Sequence, residues 1–276
     1  MDQLSVQHYE KLESYIPVSL LSPKVAALAF VVILGFVVFR YFAMILPFHA
    51  VFYRWRPAAT RARQIYPQLP GKKEQLFELK WSLMSSFIFA ATGVLLGVMW
   101  ELGWTKLYLR FDEYGLWYLP VSWLLLLLIH DTYFYWTHVW LHRPGVYERY
   151  HQIHHKSLRP SPWASFSFHP VESLINAIWI PLVVLFLPLH PVVLIFHLTF
   201  MTISAITNHL GFEVLPSTAL KYGYGKWIIS GTHHAQHHRY FRANYGLFLS
   251  VWDRLMKTEH AKFEEEFARV FQPKKN

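Results

Sequence analysis

The sequence predicts an all-α polytopic membrane protein. About four transmembrane helices are expected: two spans, a third that feeds a histidine-rich region, and a helical hairpin, with a histidine-rich helical cap on the cytoplasmic side. Three observations lead there. The 276 residues are 54% hydrophobic and 18% aromatic but only 16% charged, whereas soluble domains are about a quarter charged. Apolar runs long enough to cross a bilayer recur along the chain. Finally, histidines gather where those runs give way to basic segments.

In order, residues 1–22 are mixed and polar and read as an amphipathic lead-in. The run "VAALAFVVILGFVVFRYFAMILPF" at 25–48 follows, interrupted by Arg40. Its length suits a span of ~20 residues, with Arg40 expected to snorkel to the nearer interface. It begins late for a signal peptide and has acidic residues ahead of it, so a retained anchor is expected. Segment 54–80 is basic, and "WSLMSSFIFAATGVLLGVMW" at 81–100 is the second run. The third, "LWYLPVSWLLLLLIH" at 116–130, continues without a breaker into the first histidines, and 143–159 is basic again. The positive-inside rule then places the N-terminus outside, 54–80 and 143–159 inside, and 101–115 outside. From Val171 to about Asn208 a fourth block is broken by "LPLHP". It reads as a hairpin of two helices of ~18 residues, or as a shallow re-entrant pair. The remainder is polar and aromatic, with an amphipathic end at "KFEEEFARVF".

Fourteen of the 17 histidines lie between 130 and 238. His138 and His142 are spaced i, i+4, which puts both rings on one face of a helix. His151, His154 and His155 are spaced i, i+3, i+4, and His234, His237 and His238 repeat that spacing. Such pairs can chelate a cation, and neutral imidazole suits Zn, Fe, Cu and Ni. Eight imidazoles exceed one coordination sphere and suit two neighbouring ions. A lone histidine is usually a hydrogen-bonded structural residue, and a single HxxxH pair is weak; three such groups on one side of the membrane are not. His8, His49 and His260 read as structural or exposed, His190 as a turn residue and His197 as packed. His209 reads as an extra ligand or supporting group. Asp131, His169, Asn208 and His233 are candidates for the shell that supports the ligands, Asp131 by accepting the far ring N–H of a ligand imidazole. The absence of cysteine removes thiolate ligands and disulfides.

The blocks "DTYFYWTHVWLH", "HQIHH", "SPWASFSFHPVES", "NHLGFE" and "THHAQHHRYFRANYGLFLSVWDRLMKT" together resemble the fatty acid hydroxylase/sterol desaturase superfamily, over roughly 128–258. That resemblance implies an integral membrane non-haem di-iron enzyme. It assigns the metal to His138, His142, His151, His154, His155, His234, His237 and His238, with a further ligand at His209. Val139 stands where the family commonly has Arg, and Lys257 where Gly is usual. Neither departure touches a ligand. "HPVE" and "HPVV" lack the HPGG haem signature, so the expected electron donor is a separate protein: a ferredoxin, cytochrome b5 or a reductase.

The function expected is O2-dependent hydroxylation or desaturation of an unactivated C–H position in a lipid, by two Fe ions that Zn can displace in purified protein. The alternative is a histidine-rich membrane metal transporter or metal-binding protein without redox chemistry. Transport ligands, however, sit near the bilayer midplane, whereas these groups flank charged segments. A zinc hydrolase is disfavoured because no H-E-x-x-H occurs. The formal charge of +9 reads as topology and contact with anionic lipid, not as nucleic-acid binding. One membrane-embedded domain is expected, with two spans in 1–115, a catalytic region in 116–258 and a tail in 259–276. With no fused electron-transfer domain and with "PKKN" off register for dilysine retrieval, the chain reads as fitting a bacterial inner membrane better than the endoplasmic reticulum.

Overall fold

A computed structural model describes residues 18–272. Most of the proposed lead-in, His8 and the terminal "PKKN" lie outside the described residues. The chain is an all-α polytopic membrane protein, and among the described residues strand pairing is confined to isolated bridges. The principal helices are α1 (Pro23–His49), α2 (Lys72–Glu101), α3 (Tyr118–Leu141), α4 (Pro170–Val183), α5 (Pro191–His209), α6 (Gly231–Tyr240) and α7 (Phe263–Val270).

Among the described residues, three helices are long and apolar enough to cross a membrane: α1 with its wide-turned continuation to Trp55, α2 and α5. α3 is one unbroken helix of 24 residues whose second half carries His130, Asp131 and His138. α4 has only 14 residues, about 21 Å at 1.5 Å per residue and short of the ~30 Å hydrocarbon core. The hairpin is therefore unequal, not the pair of equal helices expected. Pro181 lies in the last turn of α4, and the chain bends back through 184–190 to α5.

Contacts between distant segments define the two ends of the bundle. At one end, the Lys106 N–H donates to Val184 O (2.6 Å) and the Tyr108 N–H to Leu189 O (3.2 Å). His190 is the turn residue expected there: its Nδ1 accepts from Val192 N (3.2 Å) and caps α5. At the other end, Ile65 N donates to Gly211 O (2.9 Å) and Glu213 N to Arg63 O (2.9 Å). Arg159 also pairs with Glu74 at 3.2 Å. The basic segments 54–80 and 143–159 thus share an end, as the charge pattern requires.

Arg40 does not snorkel. Its Nη2 donates to Leu198 O (3.1 Å) and to the Thr202 hydroxyl, tying α1 to α5. Outside the spans, amphipathic α7 buries Phe263, Phe267 and Val270. Each such side chain contributes roughly 1.5–3 kcal/mol. That packing holds α7 against Leu215, Ala219 and Leu220 and, through Phe263 on His233, against α6, reinforced by an ion pair between Arg239 and Glu266 at 3.2 Å.

Candidate metal centre

All nine histidines singled out as ligands converge at the basic end of the bundle, in two groups. His138, His142, His151, His155 and His237 form one; His154, His209, His234 and His238 form the other. Within each group the candidate ligand atoms lie within 4.8 Å of one another. Within each box the i, i+4 pair stays together, and tertiary packing decides which boxes meet. The i, i+4 pairs His138/His142 and His151/His155 enter the first group, and His234/His238 the second. The middle residue of each HxxHH box, His154 or His237, crosses to the other group.

The nitrogens are spaced as ligands of a common cation would be. In the first group, Nε2–Nε2 distances are 3.1 Å for His142–His155, 3.2 Å for His142–His237 and 3.0 Å for His155–His237. A metal–nitrogen bond of about 2.1 Å puts neighbouring ligands about 3.0–3.4 Å apart. Hydrogen bonding cannot account for the triangle. Each neutral Nε2 either donates or accepts, so at least one of three mutual contacts must pair like with like. The second group is an open chain of contacts, His154–His209 at 3.3 Å, His209–His234 at 2.9 Å and His234–His238 at 3.0 Å, and the tautomers decide whether hydrogen bonds can alternate along it.

Backbone carbonyls set the tautomers. His138 Nδ1 donates to Tyr245 O (2.8 Å), His237 Nδ1 to Ala243 O (2.7 Å), His209 Nδ1 to Ala205 O (2.7 Å) and His154 Nδ1 to Ser167 O (3.3 Å). A carbonyl only accepts, so each of these Nδ1 atoms carries the ring proton and each Nε2 presents a lone pair to its group. His154 and His209 therefore face each other lone pair to lone pair, a contact that a cation between them relieves. His138 Nε2 and His151 Nε2 are buried without a partner among the described residues. Burial, with neighbouring imidazoles adding to it, lowers the pKa of His151, His154, His155, His234, His237 and His238. The neutral rings that metal binding requires are therefore already favoured.

The supporting shell differs from the expected one. Asp131 Oδ1 accepts from Phe248 N (2.9 Å) and Leu249 N (3.1 Å); it anchors the loop after α6 and bonds no imidazole. His169 caps α4, its Nδ1 accepting from Val171 N (3.2 Å). His233 caps α6 with Ser230 (3.2 Å) and stacks on Phe263 at 3.5 Å, turned away from both groups. Asn208 donates to Leu247 O (3.2 Å), again on the loop. Sequence reasoning missed Glu172, whose Oε1 lies 2.8 Å from His151 Nδ1, although off the line a hydrogen bond needs. It also missed Asp253, fully buried, which accepts from Tyr245 N (2.8 Å) and Gly246 N (2.8 Å). Asp253 thereby fixes the loop whose carbonyls orient His138 and His237. Glu213 was missed as well: its Oε2 accepts from Thr232 N (3.0 Å) and Oγ1 (2.6 Å) at the start of α6.

Above the histidines, an apolar cavity of about 290 Å³ runs between the helices. Phe134, Phe168, Ala205 and Leu247 line it, and they adjoin the centre. Phe134 contacts His138 at 5.0 Å and Phe168 contacts His154 at 5.1 Å between ring centroids.

The fatty acid hydroxylase family model matches residues 123–258. Delta(7)-sterol 5(6)-desaturase ERG3B of Gibberella zeae is 31% identical over 206 residues, 71% of this chain and 62% of the relative. Saccharomyces cerevisiae ERG3, of the same description, is 36% identical over 156 residues, 55% of this chain and 40% of the relative. Human lathosterol oxidase is 31% identical over 180 residues, 64% of this chain and 58% of the relative. The chain therefore spans between 40% and 62% of the length of these relatives. No solved structure matches it. Carried by residues 123–258 and by relatives of one kind, the chain belongs to the fatty acid hydroxylase/sterol desaturase superfamily.

Proposed function

We propose that this chain is a membrane-embedded, O2-dependent oxidoreductase that desaturates or hydroxylates an unactivated C–H position of a lipid, with sterols the favoured substrate class. The observation that carries the reading is two adjoining imidazole groups beside an apolar cavity whose lining residues Phe134 and Phe168 pack on His138 and His154. The relatives' names, all sterol-oxidising, support the substrate class.

On this reading, His138, His142, His151, His155 and His237 hold one iron and His154, His209, His234 and His238 the other. The donor set fits, since imidazole nitrogen suits iron and zinc alike. Bound iron supplies the reduction of O2 that makes an unactivated C–H bond attackable. The chain's own contribution is orientation and exclusion. The carbonyls of Tyr245, Ala243, Ala205 and Ser167 hold ring protons on Nδ1 and so keep each Nε2 available. Glu172 places a carboxylate beside His151. The apolar lining at Phe134, Phe168 and Leu247 keeps water from the reacting carbon. Hydroxylation consumes O2, two electrons and two protons and releases one water; desaturation releases two. The electrons come from a separate donor that docks on the basic end of the bundle.

Residues 1–276 form one membrane-embedded domain on this reading, with the histidine end on the cytoplasmic side and the N-terminus outside. The relatives reported above come from fungi and human. That origin favours an endoplasmic reticulum membrane and replaces the bacterial inner membrane that the sequence alone favoured. The transporter alternative finds no support in the geometry, because the groups sit at helix ends and not in mid-span. The test is metal analysis and turnover of purified protein supplied with lathosterol, 18O2 and a reducing system. About two irons per chain and a dehydrogenated or 18O-labelled sterol are expected. Metal below one per chain, with no oxygen-dependent product, refutes the proposal.

A further inference from the structure

The cavity above the histidines carries few polar side chains, and their hydrogen bonds separate them. Arg40 donates to Leu198 O (3.1 Å) and Thr202. The Thr92 hydroxyl donates to Ile88 O (2.9 Å) and that of Ser165 to Pro162 O (2.6 Å). His130 pairs with His197 at 2.9 Å and stacks on Trp179 at 3.8 Å. Asn176 also lines the cavity, and among the described residues it is the one carboxamide, hydroxyl, imidazole or guanidinium there with no partner. Asn176 is half-buried, so its carboxamide is open to a ligand in the cavity. On α4 it stands one turn after Glu172, about 6 Å along the axis and on the same face, and Glu172 adjoins His151.

We infer that Asn176 hydrogen-bonds the hydroxyl of a lipid alcohol and is the specificity-determining residue of this cavity. The inference rests on the lipid-oxidising reading above. A carboxamide is a donor and an acceptor together, matching a hydroxyl, which is also both. An anionic head would call for a cation, and the guanidinium at this cavity already serves α5. The position one turn from Glu172 keeps the hydroxyl near the histidine groups, so a hydroxyl-bearing ring system is held by its polar edge with its apolar body in the cavity. A site built to bond a hydroxyl rejects the analogue lacking it, because its own polar group is then left unpaired.

The test measures binding of lathosterol and of its 3-deoxy hydrocarbon to the purified, metal-loaded full chain. The wild-type protein is expected to prefer the alcohol by roughly 10- to 100-fold. Asn176→Leu, close in volume and apolar, is expected to abolish that preference while keeping wild-type metal content. Asn176→Ala gives the same readout where leucine disturbs packing. An Asn176→Leu protein that keeps the preference overturns the inference and leaves the oxidase reading standing. A wild-type protein that binds neither compound overturns the inference together with the sterol reading.

Discussion

Asp253 touches no histidine ring, yet its substitution should empty one metal position and spare the other. Its buried carboxylate accepts from Tyr245 N and Gly246 N, both at 2.8 Å, and from Thr258 Oγ1 at 2.7 Å. Asn in its place keeps one acceptor oxygen and turns an NH2 toward a backbone N–H. One buried amide is then unsatisfied, at about 1–3 kcal/mol, and a charge-assisted hydrogen bond worth about 1.5–3 kcal/mol is lost. The sum is a sizeable part of the ~5–15 kcal/mol that holds a domain together. Because Tyr245 O and Ala243 O orient His138 and His237, the loosened loop should lower metal affinity in that group by roughly 10- to 100-fold. His154 and His209 bond Ser167 and Ala205 instead, so the other group should keep its ion. The assay is metal content of Asp253→Asn against increasing chelator. A plateau near one ion per chain is expected where the wild-type protein holds two. Parallel loss of both ions, or retention of both, refutes the reasoning.

Further expectations concern the groups and their supports. His155→Ala/His237→Ala removes two ligands from one group and should cost one ion per chain, whereas His154→Ala/His155→Ala, although adjacent in sequence, should cost both; metal analysis of the two double variants decides. Gly211 has φ +76° just after α5, and a Cβ there would meet Tyr66 at 3.3 Å. Gly211→Ala should therefore destabilise by about 1–2 kcal/mol, read as a lower thermal midpoint. Glu213→Ala frees Thr232 N and Oγ1 at the start of α6 and should cost about 1–3 kcal/mol. A midpoint unchanged from wild type would show that the α6 cap contributes little.

Much of the centre was legible because helical geometry is local. Spacings of i, i+3 and i+4 predict shared faces, and the unbroken run into His138 predicts a helix that delivers histidines to a membrane edge. The division of the boxes into groups was not legible. Whether His154 joins His155 depends on His154 packing against His209 and His238, which no local pattern encodes. The supporting shell was missed for a related reason. Four of its acceptors are backbone carbonyls, and every residue has one, so no side chain advertises them. Asp131 looked like an imidazole partner from its place next to His130, but the amides of Phe248 and Leu249 claim it instead. Arg40 and the short α4 departed from expectation because tertiary hydrogen bonds and a proline outweighed span length.

The interleaving of the HxxHH boxes also bears on how the protein matures. Residues 151–155 contribute to both cavities for metal, as do 234–238. The first ion to arrive must fix backbone that the second will use. The first ion should accordingly ease binding of the second, while a chain with one group disabled still holds a single ion in the other. At limiting metal, the wild-type protein should then hold more doubly loaded chains than independent filling of the two groups would give.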